Sequence, residues 1–160
     1  MLRPLTLPAN LNLPSESQVF LSEMPGRQRR TIEDLANIDA TGIDHVLCLT
    51  SAGDPSSYEY LDLIKQGYLK AKFHHCPLSS LSQIGSKPAL ADALGILIEH
   101  LRDGESVLIH CQYGQVRTGC AAAALLILLG LEFEDALATV RAAGSDPEFD
   151  DEAPLLRAFI

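Results

Sequence analysis

The stretch "VLIHCQYGQVRTGC", Val107 to Cys120, runs from an apolar segment through a short polar loop into the alanine- and leucine-rich "AAAALLILL". The apolar run ending at His110 has the length and composition of a strand buried on both faces, as found inside a parallel sheet. The residues beyond Arg117 read as a buried helix. A strand, a loop and a helix in this order form the junction at which α/β folds bind ligands. Cys111 and Arg117 flank that loop, and Gly114 lies between them.

Such a loop can turn successive backbone N–H groups inward and form an anion-binding concavity. The following helix adds unpaired amides and the positive end of its dipole. Gly114, without a Cβ, lets the loop curl, and Arg117 supplies a planar fork of donors suited to two phosphate oxygens. Cys111 then sits in a positive well that favours thiolate over thiol. A thiolate beneath a phosphate is placed for in-line attack on phosphorus, giving a cysteinyl phosphate that water later hydrolyses. The amides and Arg117 would stabilise the equatorial oxygens. Thr118 brings a hydroxyl near the sulfur, and His110 is expected to orient the loop rather than to act as a base.

On either side of this stretch, strands and helices alternate. "QVFLSEMPG" (Gln18 to Gly26) reads as a strand closed by a Pro-Gly turn, and "DHVLCLT" (Asp44 to Thr50) as a second apolar strand. "YLKAKFHHCP" (Tyr68 to Pro77) is a more polar strand, expected near an edge. Thr31 is expected to cap the helix "TIEDLANIDATG", with Asp34 completing a capping-box pair and Gly42 ending it. Pro55 is expected to start a helix presenting Tyr58, Leu61 and Ile64 on one face, and Pro88 one presenting Leu90, Leu94, Leu97 and Leu101. The pattern predicts one α/β domain over 1–160, a mostly parallel central sheet flanked by helices on both sides, with 1–17 an extended N-terminal segment.

Composition narrows the function. The 160 residues are 47% hydrophobic and 21% charged, as in a globular domain, and the formal charge of −9 disfavours nucleic-acid and membrane-surface binding. The proline-broken start "MLRPLTLPANLNLP" does not read as a signal peptide. The most apolar stretch, "GCAAAALLILLGL", is shorter than the roughly 18–20 residues a membrane span needs. A cytoplasmic location is therefore expected. The cysteines at 48, 76, 111 and 120 lack C-x-x-C spacing, and His74 and His75 point to opposite faces of a strand. Neither a metal nor a cofactor is expected, and the sequence leaves the oligomeric state open.

"HCQYGQVRTG" resembles the signature of the cysteine-based protein phosphatases of the dual-specificity branch. Together with "LSEMPGRQRRTIEDLANIDATGIDHVLCLTSAGD" and "FHHCPLSSL", in order and spacing, it resembles the kinase-associated phosphatase type over nearly the whole chain. The resemblance implies that fold and a phosphomonoesterase activity. It makes Cys111 the nucleophile, Arg117 the phosphate clamp and Thr118 the hydroxyl assisting the second step, with the backbone of Gln112, Tyr113, Gly114, Gln115 and Val116 lining the phosphate cradle. It also implies that Cys48 can form a reversible disulfide with Cys111, protecting the thiolate from over-oxidation; Cys76 is a weaker redox candidate, and Cys120 reads as a core residue.

One part of the family pattern is missing. The general acid that protonates the departing oxygen stands, in relatives, three residues after the proline that ends a strand. Here the proline is Pro77 and the residue is Ser80, with no acidic residue between Asp62 and Asp92. Asp54, Asp146, Glu148 and Asp150 are the carboxylates left to reach the site. If none does, aryl phosphates and phosphotyrosine suffer less than phosphoserine, because a phenolate leaves more readily. The expected substrate is accordingly a phosphorylated protein or an aryl phosphate. The absence of lysines from the loop disfavours a polyphosphorylated lipid head group. Tyr113 either stacks on a substrate ring or packs against the helix. Arg27, Arg29 and Arg30 form either a solvated helix start or a contact for a phosphorylated partner. Two other classes stay open: a phosphoprotein-binding relative without turnover, and another thiolate enzyme such as an arsenate reductase or a sulfurtransferase.

Overall fold

The computed structural model describes residues 1–78, 84–147 and 154–160. Its centre is a five-stranded sheet of β1 (Arg3–Leu5), β2 (Val19–Ser22), β3 (His45–Cys48), β4 (Lys72–His75) and β5 (Val107–His110), in spatial order β1-β2-β5-β3-β4. Only β1 is antiparallel to its neighbour; the other pairings are parallel. Six helices among the described residues cover it: α1 (Thr31–Thr41), α2 (Ser57–Lys65), α3 (Lys87–Arg102), α4 (Val116–Leu128), α5 (Phe133–Ala142) and α6 (Pro154–Arg157). This is the expected doubly covered α/β architecture, and β4 takes the expected edge position.

The period of two along the central strands divides the core. Val19, Leu21, Leu47, Val107 and Ile109 face one layer with Leu90, Leu94 and Leu97 of α3, the alanine run of α4, and α5 and α6. Phe20, Val46, Cys48 and Leu108 face the other, with Leu35 and Ile38 of α1 and Tyr60 of α2. All four residues of β2, β3 and β5 are buried, whereas β4 is partly exposed. Strand register brings Ser22, His110 and Cys48 level with one another, so the C-terminal edge of the sheet ends at one line and the loop after β5 begins there.

Four local features differ from the pattern expected of the sequence. The N-terminal segment is not merely extended, since it supplies β1 and a 3-10 turn at Ala9–Leu11. Thr31 does not cap α1: Arg30 holds the N-cap position without a side-chain bond, and the Asp34 carboxylate instead accepts from the Gly26 N–H at 2.8 Å. Gly42 does end α1, at φ 85°. Helix α2 starts at Ser57 rather than Pro55, after Ser56 in the left-handed region (φ 63°). That shift turns Tyr58 outward, 82% exposed, and buries Tyr60 completely.

Candidate active site

The loop from Cys111 to Gln115 sits at the C-terminal end of β5, and α4 begins behind it at Val116. Cys111 is buried, and its Sγ accepts the Gly114 N–H at 3.3 Å and the Thr118 hydroxyl at 3.0 Å. The loop thus curls over the sulfur and returns a donor to it. Gly114 has φ 71°, and a Cβ there would lie 2.6 Å from the Ser22 and Glu23 backbone. Gly114→Ala is therefore expected to destabilise the protein by about 2–4 kcal/mol, combining strain and overpacking, and to reduce activity through loss of the loop shape. Urea unfolding with a parallel rate measurement checks this.

Distant groups hold the loop. The Gly114 carbonyl accepts from Arg3 Nη2 and from the Ser145 hydroxyl, both at 2.6 Å, while Arg3 Nη1 donates to the Ala143 carbonyl. The Gln112 carbonyl accepts the Met24 N–H at 3.0 Å. Nothing nearby in the chain links Arg3 or Ser145 to residue 114, so the sequence carries no signal for either.

His110 is fully buried between two partners. Its Nδ1 lies 3.2 Å from the Cys111 carbonyl, which can only accept, so Nδ1 carries the proton and Nε2 accepts from the Tyr60 hydroxyl at 2.8 Å. Burial, against that carbonyl hydrogen bond, pushes the His110 pKa down to about 4. The ring is neutral near pH 7 and suits the orienting role expected of it.

The Arg117 guanidinium donates from Nη1 to Asp54 Oδ2 at 2.7 Å and to the Leu78 carbonyl at 2.9 Å. Asp54 is held in a tight turn: its Oδ2 also accepts the Ser51 N–H at 2.8 Å, and Gln112 Nε2 donates to the next carbonyl, that of Pro55, at 2.9 Å. Burial alone would raise the Asp54 pKa, but the hydrogen bonds from Arg117 and Ser51 outweigh it and lower it. Of the proposed acids, then, Asp54 reaches the arginine of the loop. Asp146 pairs with Arg141 at 3.2 Å on the surface. Ser80, Glu148 and Asp150 lie outside the described residues.

Cys111, Tyr113, Gln115, Val116 and Arg117 line an open pocket of about 370 Å³. Tyr113 is 59% exposed and lies beneath the Arg27 guanidinium, 4.1 Å from the ring centroid. It is a wall of the pocket rather than a residue packed on the helix. Arg29 pairs with Asp34 instead. Cys48, level with His110 on β3, packs in the α1–α2 layer, and burial pushes its thiol up to about 12. Cys120 is raised to about the same value by burial in α4, and burial raises Cys76 as well. His74 and His75 do diverge: His74 meets His45 at 3.0 Å, and His75 donates to the Thr50 carbonyl at 2.7 Å. Among the described residues, no helix is long and apolar enough to cross a membrane.

Solved structures share this fold. Kinase associated phosphatase, carrying a substitution of its catalytic-site cysteine to serine, superposes with a TM-score of 0.81 at 22% identity, over 99% of this chain and 93% of that one. Tk-PTP in its active form gives 0.60 at 27% identity, over 88% and 87%. P. aeruginosa TpbA, a cysteine-to-serine variant in complex with pTyr, gives 0.61 at 18% identity, over 98% and 86%. No curated protein matches the chain. Residues 17–155 match the model described as "PTP-SAK: Swiss Army Knife protein, DSP-PTPase phosphatase domain", so the chain belongs to that family and is a cysteine-dependent phosphatase of the dual-specificity type.

Proposed function

We propose that this single domain hydrolyses phosphotyrosine and other aryl phosphate monoesters through a phosphate bound covalently to Cys111, without a metal ion, and with Asp54 in place of the usual acid. The observation that carries the reading is the Arg117–Asp54 contact at 2.7 Å, on the pocket that Arg117 shares with a cysteine that accepts from Gly114 and Thr118.

The first step begins when substrate phosphate takes the place of the Asp54 carboxylate on Arg117. The loop amides and Arg117 bind the equatorial oxygens, and the Cys111 thiolate attacks phosphorus in line with the ester oxygen. Asp54 has then lost its cation and gained a phosphate neighbour, and both changes favour its protonated form. It passes that proton to the departing oxygen, then as a carboxylate takes one from the water that attacks the phosphocysteine. The Thr118 hydroxyl stabilises sulfur as it leaves. His110, neutral and fixed by Tyr60, holds the Cys111 carbonyl and with it the start of the loop. Tyr113 under Arg27 offers an aromatic wall and a positive rim, which suits an aryl phosphate flanked by acidic residues. The pTyr bound to the TpbA variant agrees with this substrate class.

The test is turnover of para-nitrophenyl phosphate and of a phosphotyrosine peptide in the presence of a chelator. Turnover is expected to persist, and Ser80→Asp to change it by less than about threefold, because the acid is already supplied. A gain of roughly tenfold or more in Ser80→Asp would return the acid role to the loop after Pro77.

A further inference from the structure

At the opposite end of the sheet from the phosphate loop, two elements bring imidazoles to one carboxylate. His45 opens β3, His100 lies in the last turn of α3, and Glu105 precedes β5. His45 Nε2 is 3.0 Å from Glu105 Oε2, and His100 Nδ1 is 3.0 Å from Glu105 Oε1. One donor atom from each of the three falls within 4.8 Å of the others. A fourth residue, His74 of β4, places its Nε2 3.0 Å from His45 Nδ1.

We propose that His45, His100 and Glu105 form a binding site for a divalent transition-metal ion of the zinc class, with His74 orienting His45. Bonds of about 2.0–2.1 Å to tetrahedral zinc put neighbouring donors about 3.3 Å apart; the two histidine–carboxylate contacts here are 3.0 Å, each to its own carboxylate oxygen, and one donor from each residue lies within 4.8 Å of the others. Two imidazoles and one carboxylate are a zinc donor set, and two partly exposed members leave solvent access for a water as fourth ligand. The His45 ring is wholly buried. Its partner on the far nitrogen is the arrangement that fixes the tautomer of a ligating histidine.

The backbone around the seat is pinned. The Ser106 carbonyl accepts from the Asp44 and His45 N–H groups, the Asp44 carboxylate accepts the Ser106 N–H at 2.8 Å, and the Glu105 N–H donates to the His100 carbonyl at 3.0 Å. The His45 and His100 rings stack with centroids 3.7 Å apart, so joint ligation requires His100, the more exposed ring, to pivot.

Protons balance without loss. Before binding, the carboxylate accepts from His45 Nε2–H and His100 Nδ1–H, and His74 Nε2–H donates to His45 Nδ1. With the ion on His45 Nε2 and His100 Nδ1, each ring carries its proton on the far nitrogen. His45 Nδ1–H then donates to His74 Nε2, and the His74 proton moves to Nδ1.

Calorimetric titration of the full chain with zinc, in a Cys111→Ser background that removes the thiol of the phosphate loop, is expected to give one ion per chain. Glu105→Gln, close to isosteric at a partly exposed side chain, and His100→Ala should each weaken binding about tenfold or more, and His74→Ala by about tenfold. Cobalt in the same seat should show the visible bands of a tetrahedral nitrogen–oxygen site without a thiolate charge-transfer band. Absence of saturable binding, affinity unchanged in Glu105→Gln and His100→Ala, or a thiolate band would each overturn the assignment. None of these readouts depends on phosphatase turnover.

Discussion

Cys111→Ser is expected to lower kcat by about 10⁴-fold or more, because a serine hydroxyl with no adjacent base is a poor nucleophile towards phosphorus near neutral pH. Affinity for inorganic phosphate should change by no more than a few-fold, since the loop amides, Arg117 and Thr118 remain. The two readouts separate chemistry from folding: a collapsed loop would lose phosphate binding as well. Single-turnover kinetics and calorimetric phosphate titration measure them. Residual turnover within about 100-fold of wild type would mean that Cys111 is not the attacking group.

Asp54→Asn should produce the second-largest effect, with an unusual signature. Loss of the acid is expected to reduce kcat by about 10²–10³-fold on phosphotyrosine peptides, and by less on para-nitrophenyl phosphate, whose leaving group scarcely needs a proton. Phosphate affinity should meanwhile rise several-fold, because the carboxylate that competes for Arg117 at 2.7 Å has been neutralised. A residue serving only to hold the loop would lose both together.

The pH dependence has a definite sign. The Asp54 carboxyl is held below its usual range in the free enzyme, so it enters the reaction ionised near neutrality. In the proposed mechanism, the proton that Asp54 donates arrives with the substrate monoanion. Accordingly kcat/KM should fall as pH rises through the second phosphate pKa of about 6. That limb should flatten in Asp54→Asn. A kcat reduced less than about fivefold on the peptide would remove Asp54 from the mechanism.

The features legible in the sequence are those contiguous in it. Strand, loop and helix from Val107 to Leu128 announce themselves through an apolar run, a glycine at a required positive φ, and an alanine-rich helix. Cys111, Gly114 and Thr118 meet because only a few residues separate them. What the sequence hid depends on the return of distant chain. Arg3 reaches the Gly114 carbonyl across 111 positions, and Tyr60 reaches His110 across 50. Asp54 could be nominated as an acid, but its meeting with Arg117 arises only when β3 and β5 pair in parallel.

The misread faces have equally local causes. Ser56 in the left-handed region resets the phase of a nine-residue helix, which is too short for its apolar period to choose between Tyr58 and Tyr60. Thr31 has the residue type of a cap, yet the turn at Pro25–Gly26 takes the Asp34 carboxylate first. The His45–His74–His100–Glu105 group leaves no pattern in the sequence because its members come from β3, β4, α3 and the α3–β5 connection, with no shared spacing.

Trapping the intermediate tests whether phosphate passes through Cys111. Asp54→Asn enzyme, mixed with para-nitrophenyl phosphate, whose leaving group keeps the first step fast, and quenched in denaturant near neutral pH, should carry phosphate on the peptide containing Cys111, because in the proposed mechanism the water that releases it has lost its base. Mass spectrometry of that digest is expected to find one covalent phosphate, on sulfur. Finding no covalent phosphate while product forms, or phosphate on any residue other than Cys111, would exclude attack by Cys111.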